Sequence, residues 1–336
     1  MLVFGVVFIH NFGEPHYGKV SIYDIQQIDY HTLFDILRIG IHRLSELSVP
    51  CFYMISGYLF YIGIQGHKEE FLKKWRKRIN SLIMPYIIWN IIFTLWHFLL
   101  NVKGHVYEIS DFFQYIEMQG WFHIFWDSSP RPGQTGAPED MPLWFLRDLI
   151  VVVFILSPII YRLLKSKQVG LTYLMLLFVV GAIGIFPIIN GLSIEALKYF
   201  SLGAFLSIHS ISFVDLATKY KRITIPVFMI SYVILVYFKG SDYRLYGVSD
   251  LFVLSGIAIM VCASTRFSEK VTGQLSILQK ASFFVFASHM LFLGICRGVI
   301  QMISFGDVYI SYLVPPFITI ALCTAMYFII NKYLPK

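Results

Sequence analysis

Residues 67–100 read HKEEFLKKWRKRINSLIMPYIIWNIIFTLWHFLL. Lys73, Lys74, Arg76, Lys77 and Arg78 crowd together, and from Ile79 to Leu100 the chain carries no Lys, Arg, Asp or Glu. That apolar run matches the roughly 20 residues that a helix needs to cross a bilayer core. Cations that abut such a run stay on the cytoplasmic side. The stretch therefore decides class and orientation together: a membrane-spanning helix that starts in the cytoplasm. Pro85 predicts a kink near its cytoplasmic end.

The rest of the chain repeats this pattern. Hydrophobic residues make up 57% of the 336 positions and charged ones 14%, and the mean hydropathy is +0.67. A soluble domain is about 25% charged, so the composition predicts one polytopic membrane domain over residues 1–336. Apolar segments fall at 47–64, 81–100, 143–164, 170–187, 191–209, 223–238, 247–264, 281–303 and 311–331. The loops near HKEEFLKKWRKR, RLLKSK, TKYKR and RFSEK, and the tail NKYLPK, are basic. The connections between them, near 13–32, 102–140, 188–190, 239–246 and 304–310, carry fewer cations. The net charge of +7 is thus spread as the positive-inside rule requires, and not as a nucleic-acid surface. Cys51, Cys262, Cys296 and Cys323 lie in apolar stretches without paired spacing, so neither a zinc site nor a disulfide framework is signalled.

The alternation works only if residues 1–12 also count as a crossing. The opening run, MLVFGVVFIHNFG (1–13), is too short for one and ends in a histidine. It lacks the charged start and small-residue cleavage site of a signal peptide. We expect it to be the outer half of a first helix whose inner half lies before Met1. The fold class is then an all-α membrane bundle of about ten helices in the cell membrane, with both termini cytoplasmic.

Two connections stand out. HTLFDILRIGIHRLSELSVP (31–50) predicts a partly amphipathic helix with Arg38, His42, Arg43 and Glu46 near helical spacing of one another. Segment 102–140 is the longest polar loop and falls on the outer side. Its SSPRPGQTGAPED is turn-rich and its WFHIFW aromatic. No internal repeat, GxSxG elbow, HExxH pair or P-loop occurs, so hydrolase, metalloprotease and NTPase readings have no motif to stand on.

Five stretches, in order, carry a resemblance: VVFIH (6–10), VPCFYMISGYLF (49–60), FLKKWRKRINSLIMPYIIWN (71–90), PLWFLRDLIVVVFILSPII (142–160) and SFFVFASHMLF (282–292). Across essentially the whole chain the sequence resembles the acyltransferase-3 family of integral membrane acyltransferases. The resemblance implies ten helices and transfer of an acyl group, usually acetyl, from cytoplasmic acyl-CoA to a carbohydrate hydroxyl. The acceptor would be a cell-surface glycan or glycolipid precursor. Acyl-CoA would be a donor substrate and no cofactor would be permanently bound. His10 occupies the position of the family's first-helix histidine. The basic residue expected about eleven positions earlier would fall upstream of Met1. The family's cytoplasmic basic motif maps onto Lys74, Arg76 and Arg78, although RKR departs from the usual two-residue gap between arginines.

O-acyl transfer needs a base for the hydroxyl proton, donors for the oxyanion and cations for phosphates. His10 is the candidate base, because imidazole titrates near neutrality; otherwise it is an interfacial histidine that meets water. His289 is either a packed interior residue or a wall of the site on the coenzyme side. Glu46 either orients His10 or pairs locally with Arg43. Arg147 is a candidate for sugar or oxyanion contact, and a charge inside an apolar helix must have a partner. Asp148, about 100° round the helix from it, is expected to have a different one. Trp144 either stacks on a sugar or anchors at the interface. Lys74, Arg76 and Arg78 either hold coenzyme A phosphates or set topology and bind anionic lipid. Ser56 and Gly57 predict a close helix contact. The alternative function is a transporter or flippase for a glycolipid or polar solute, to which intramembrane charge also points, but which inverted repeats would mark.

Overall fold

The computed structural model describes residues 2–11, 30–128, 136–238, 245–265 and 269–333. Among them there are fifteen α-helices and no strand. The first seven are α1 (Leu2–His10), α2 (Tyr30–Ser45), α3 (Ser48–Tyr61), α4 (Lys68–Arg78), α5 (Met84–Lys103), α6 (Phe112–Gln119) and α7 (Trp121–Phe125). Next come α8 (Trp144–Val151), α9 (Ser157–Leu164), α10 (Lys167–Ile183) and α11 (Ile194–Ile208). The last four are α12 (Phe213–Tyr237), α13 (Tyr246–Ser264), α14 (Glu269–Ile303) and α15 (Val308–Tyr333).

The all-α membrane class expected from composition is thus what the chain adopts. Six stretches among the described residues are long and apolar enough to cross a bilayer: Lys68–Lys103, Met141–Leu164, Phe213–Tyr237, Tyr246–Ser264, Leu278–Ile303 and Val308–Tyr333. The other expected crossings coincide with α1, α3, α10 and α11, which run 9, 14, 17 and 15 residues. The amphipathic segment after residue 30 is α2, as its spacing predicts. The 102–140 connection is not simply a loop. It carries α6 and α7, the latter built from the aromatic WFHIF, while residues 129–135 of its turn-rich part lie outside the described residues.

The chain divides into two compact units. One holds Met1–Phe52, Phe178–Gly184 and Ser210–Lys336, the other Tyr53–Leu177 and Ile185–His209. In the first unit α12 packs on α13 and α14 on α15, and α1 packs on α2, α14 and α15. Val7, Val285, Ile320 and Cys323 meet in its core with Ala281 and Leu293. The α14–α15 turn is tight. Gly306 has φ 82°, and Asp307 then caps α15 by accepting the Ile310 N–H at 2.9 Å.

In the second unit two prolines shape the helices that position polar groups. Pro85 and Pro158 each follow a π-helical turn, Ile79–Ile83 and Val152–Leu156. Proline lacks an N–H and crowds the carbonyl four residues back, and a wider turn relieves both problems. In the π register the carbonyl of Val153 would need an N–H from Pro158. It accepts instead from Ser157 Oγ at 2.5 Å and from Trp75 Nε1 at 2.8 Å. That bond fastens the basic helix α4 in place. At its start, Glu70 accepts the backbone N–H groups of Gln65, Gly66 and His67 at 2.8, 3.0 and 3.1 Å. Gly57 makes the close contact its sequence context predicts. A Cβ there would lie 2.1 Å from Phe200 O, and one on Gly203 would lie 2.0 Å from Met54 O. α3 and α11 therefore cross backbone to backbone.

Candidate active site

In the first unit, α1 is apolar throughout and stops at His10. Asn11 closes it: its N–H bonds Val7 O at 3.1 Å, and its Nδ2 donates to Tyr312 O on α15 at 2.6 Å. α14 brings His289 alongside. The two imidazole centroids are 5.2 Å apart with an interplanar angle of 42°. His10 is half-buried, and its ring makes no hydrogen bond among the described residues. His289 is 0% exposed. Its Nδ1 lies 2.6 Å from Phe286 O. A carbonyl only accepts, so Nδ1 carries the proton and Nε2 keeps the lone pair. That Nε2 is buried and has no partner among the described residues, an arrangement that costs about 1–3 kcal/mol unless something fills it.

The amphipathic helix α2 adds the third side of the site. Arg38 pairs with Asp35 at 3.2 Å. Glu46, one residue past the end of α2, accepts from Arg43 Nη1 at 2.8 Å and faces His42 Nε2 at 3.2 Å. Of the two roles open to Glu46, the structure places it in the local pair with Arg43 and adds His42. His289 and His42 are the ionisable neighbours of His10. One turn from His289 along α14, Val285 opens onto a cavity of about 390 Å³, walled also by Phe4, Phe52, Ile320, Gln279 and Thr324.

The other expected site residues lie in the second unit. On α4, Lys74 reaches Leu59 O at 3.4 Å and is half-buried, Arg78 is half-buried and Arg76 is exposed. None of the three has an acidic partner among the described residues, so their charges stay available. Trp144 is half-buried at the start of α8. Arg147 is 2% exposed and engaged in several directions. Nη1 bonds Gly136 O at 2.7 Å and also Trp126 O, while Nε and Nη2 reach Asp148 Oδ1 at 3.3 and 3.1 Å. The expectation that Arg147 and Asp148 have different partners is corrected here. An arginine side chain is long enough to fold back across the 100° between neighbours, and burial favours closing the pair. Asp148 also accepts the Ser193 N–H at 2.9 Å through its other oxygen. Arg147 thus ties Trp126 and Gly136 of the connection before α8 to that helix.

Two features escaped the sequence reading. His97 Nδ1 and Glu139 Oε1 are 2.5 Å apart. Beside them Asp140 is 0% exposed, with its N–H on Asn90 Oδ1 at 2.9 Å. Neither carboxylate oxygen has a partner among the described residues, and burial pushes its pKa well above the usual carboxylate range. An acid in a turn-rich PED string gives no sign of this, because its burial is set by residues 50 positions away.

Comparison with known proteins agrees with this architecture. The chain is 26% identical over 354 residues to the succinoglycan biosynthesis protein ExoH of Rhizobium meliloti (strain 1021), an alignment that covers 100% of this chain and 87% of that protein. No solved structure matches. The profile of the acyltransferase-3 family, described as an acyltransferase domain, matches residues 1–331. With its helical, multi-pass membrane build, this chain belongs to that acyltransferase family.

Proposed function

We propose that the protein moves an acyl group, acetyl in the simplest case, from acyl-CoA to a hydroxyl of a carbohydrate or glycolipid, with His10 as general base. The observation that carries this reading is a half-buried His10 beside the fully buried His289, at the end of a short apolar helix. Such a ring has access to substrate on one side and is shielded on the other. The acceptor oxygen attacks the thioester carbonyl while His10 takes its proton. The tetrahedral intermediate collapses, the C–S bond breaks, and the departing thiolate takes the proton from His10. The donor is consumed as a substrate and no prosthetic group takes part. Lys74, Arg76 and Arg78 are assigned to the phosphates of coenzyme A, since they are cations without acidic partners. Trp144 is assigned to the sugar. Arg147 acts by holding the outer connection. The relative named for succinoglycan biosynthesis supports a polysaccharide or its lipid-linked precursor as acceptor.

The test is labelled acetyl-CoA offered with a glycan to the full-length protein in lipid nanodiscs. Label that becomes covalently attached to the glycan is the expected result. Passage of an unmodified solute would indicate a transporter instead. His10→Ala is expected to cut transfer by about 10²–10⁴-fold, the usual worth of general base catalysis, at unchanged protein level. Near wild-type turnover in that variant would remove His10 from the mechanism.

A further inference from the structure

A free imidazole has a weakness as a base. Either nitrogen of His10 can carry the proton, and the ring can turn, so only part of the population presents a lone pair to substrate. Enzymes commonly cure this with a hydrogen-bond acceptor behind the ring. Glu46 is an obvious candidate from sequence, but it is engaged with Arg43 and His42. Two buried acceptors near His10 are empty among the described residues, Asn11 Oδ1 on the adjoining residue and His289 Nε2 on the facing helix, and of these His289 presents a ring beside the His10 ring. Its tautomer is fixed by the Phe286 carbonyl. Its Nε2, across the ring from that bond, is buried without a partner among the described residues. α1 packs against α14 there, and His10 is the ring beside it at 5.2 Å. The two rings stand tilted at 42° and do not bond as they lie; each ring nitrogen is about 1.1 Å from its centroid, so a turn of the His10 ring to edge-on would bring N···N to about 3 Å, an ordinary hydrogen-bond length. On α15 the hydroxyls of Tyr312 and Thr319 are also buried without partners, yet neither lies within bonding distance of Nε2.

We propose that His289 is the positioning residue for His10: a turn of the His10 ring places its N–H on His289 Nε2, so that the other His10 nitrogen keeps its lone pair for the acceptor hydroxyl. This rests on His10 being the base. When His10 takes the proton, the bond to His289 persists and shares the new charge. A neutral imidazole suits a site inside apolar helices, where a buried carboxylate would cost far more to desolvate. The other ionisable groups facing α1 are His42, Arg43 and Glu46 from α2 and its end, and Tyr312 from α15. The first three already have partners in one another.

The geometry supplies its own controls. In His289→Asn the amide reaches the Phe286 carbonyl, as Nδ1 does, but places no acceptor at the Nε2 position. In His289→Gln the longer amide carries both a donor and an acceptor. We expect His289→Asn to fold and to lower kcat by about 100-fold or more, with little change in KM for acyl-CoA. His289→Gln should recover activity to within about tenfold of wild type and keep the pH profile set by His10. Equal loss in both variants would mean that His289 moves protons itself, and no loss in either would make it packing alone; both outcomes overturn the proposal. Activity surviving in His10→Ala would instead sink the reading on which the proposal rests, so the two failures are distinguishable.

Discussion

Single buried residues carry the strongest constraints in this protein. Asp140 is a buried acid whose carboxylate oxygens have no hydrogen-bond partner among the described residues, and burial raises its pKa. The unfolded chain releases that proton near the ordinary carboxylate pKa, while the folded chain holds it to higher pH. Folding therefore binds protons, and stability falls as pH rises towards the folded pKa. Asp140→Asn, which keeps the shape and removes the charge, should raise the melting temperature at pH 8 and change it little at pH 4. Equal melting at both pH values would show that Asp140 is solvated after all. At this scale the sequence was partly legible. His10 declared itself by ending an apolar run. The contacts of Glu46 followed from i,i+3 and i,i+4 spacing. Asp140 and the Arg147–Asp148 pair did not, because burial and the reach of a long side chain depend on partners remote in sequence.

Elements are set by backbone geometry that composition only hints at. The α3–α11 crossing depends on two missing methyl groups. Gly57→Ala drives a Cβ against the Phe200 carbonyl, a clash with backbone that a rotamer change cannot relieve. Overpacking of this kind costs about 1–3 kcal/mol or more. The variant should melt several degrees lower in detergent, as followed by fluorescence-detected gel filtration. The π turn before Pro158 frees the Val153 carbonyl for Trp75, and this ties the basic helix to that turn. On that helix, Arg76→Ala and Arg78→Ala should raise the KM for acyl-CoA more than that for the acceptor. Lysine at either place should restore only part of the loss, since it cannot offer two parallel donors. An unchanged donor KM in both alanine variants would return α4 to the role of a topology signal. Hydropathy read the long helices well. It overran α3 and α11: segments 47–64 and 191–209 are longer than the helices, whose 14 and 15 residues span only about 21–23 Å at 1.5 Å per residue, against a core of about 30 Å.

For the whole molecule, composition sufficed for class, because a chain this apolar has no other stable solvent. Orientation rests on the cation asymmetry and is open to direct test. In a background without native cysteines, Lys68→Cys should label only from the cytoplasmic side and Ala137→Cys only from outside. The reverse pattern would invert the topology and the coenzyme assignment with it. The division into two units, each stitched from separated segments, was invisible to any local pattern, since sequence windows do not report which distant helices meet. That stitching has a consequence for biosynthesis. α1 leaves the ribosome long before α14 and α15, on which it packs. Until they follow, α1 waits in or near the membrane with only α2 beside it, a long-range closure of the kind that slows folding. A ribosome stalled before residue 269 would hold a chain already threaded through the bilayer but unable to seat His10. The packing around His10 is thus withheld until the α14–α15 hairpin arrives, and a chain that stops before residue 269 never acquires it.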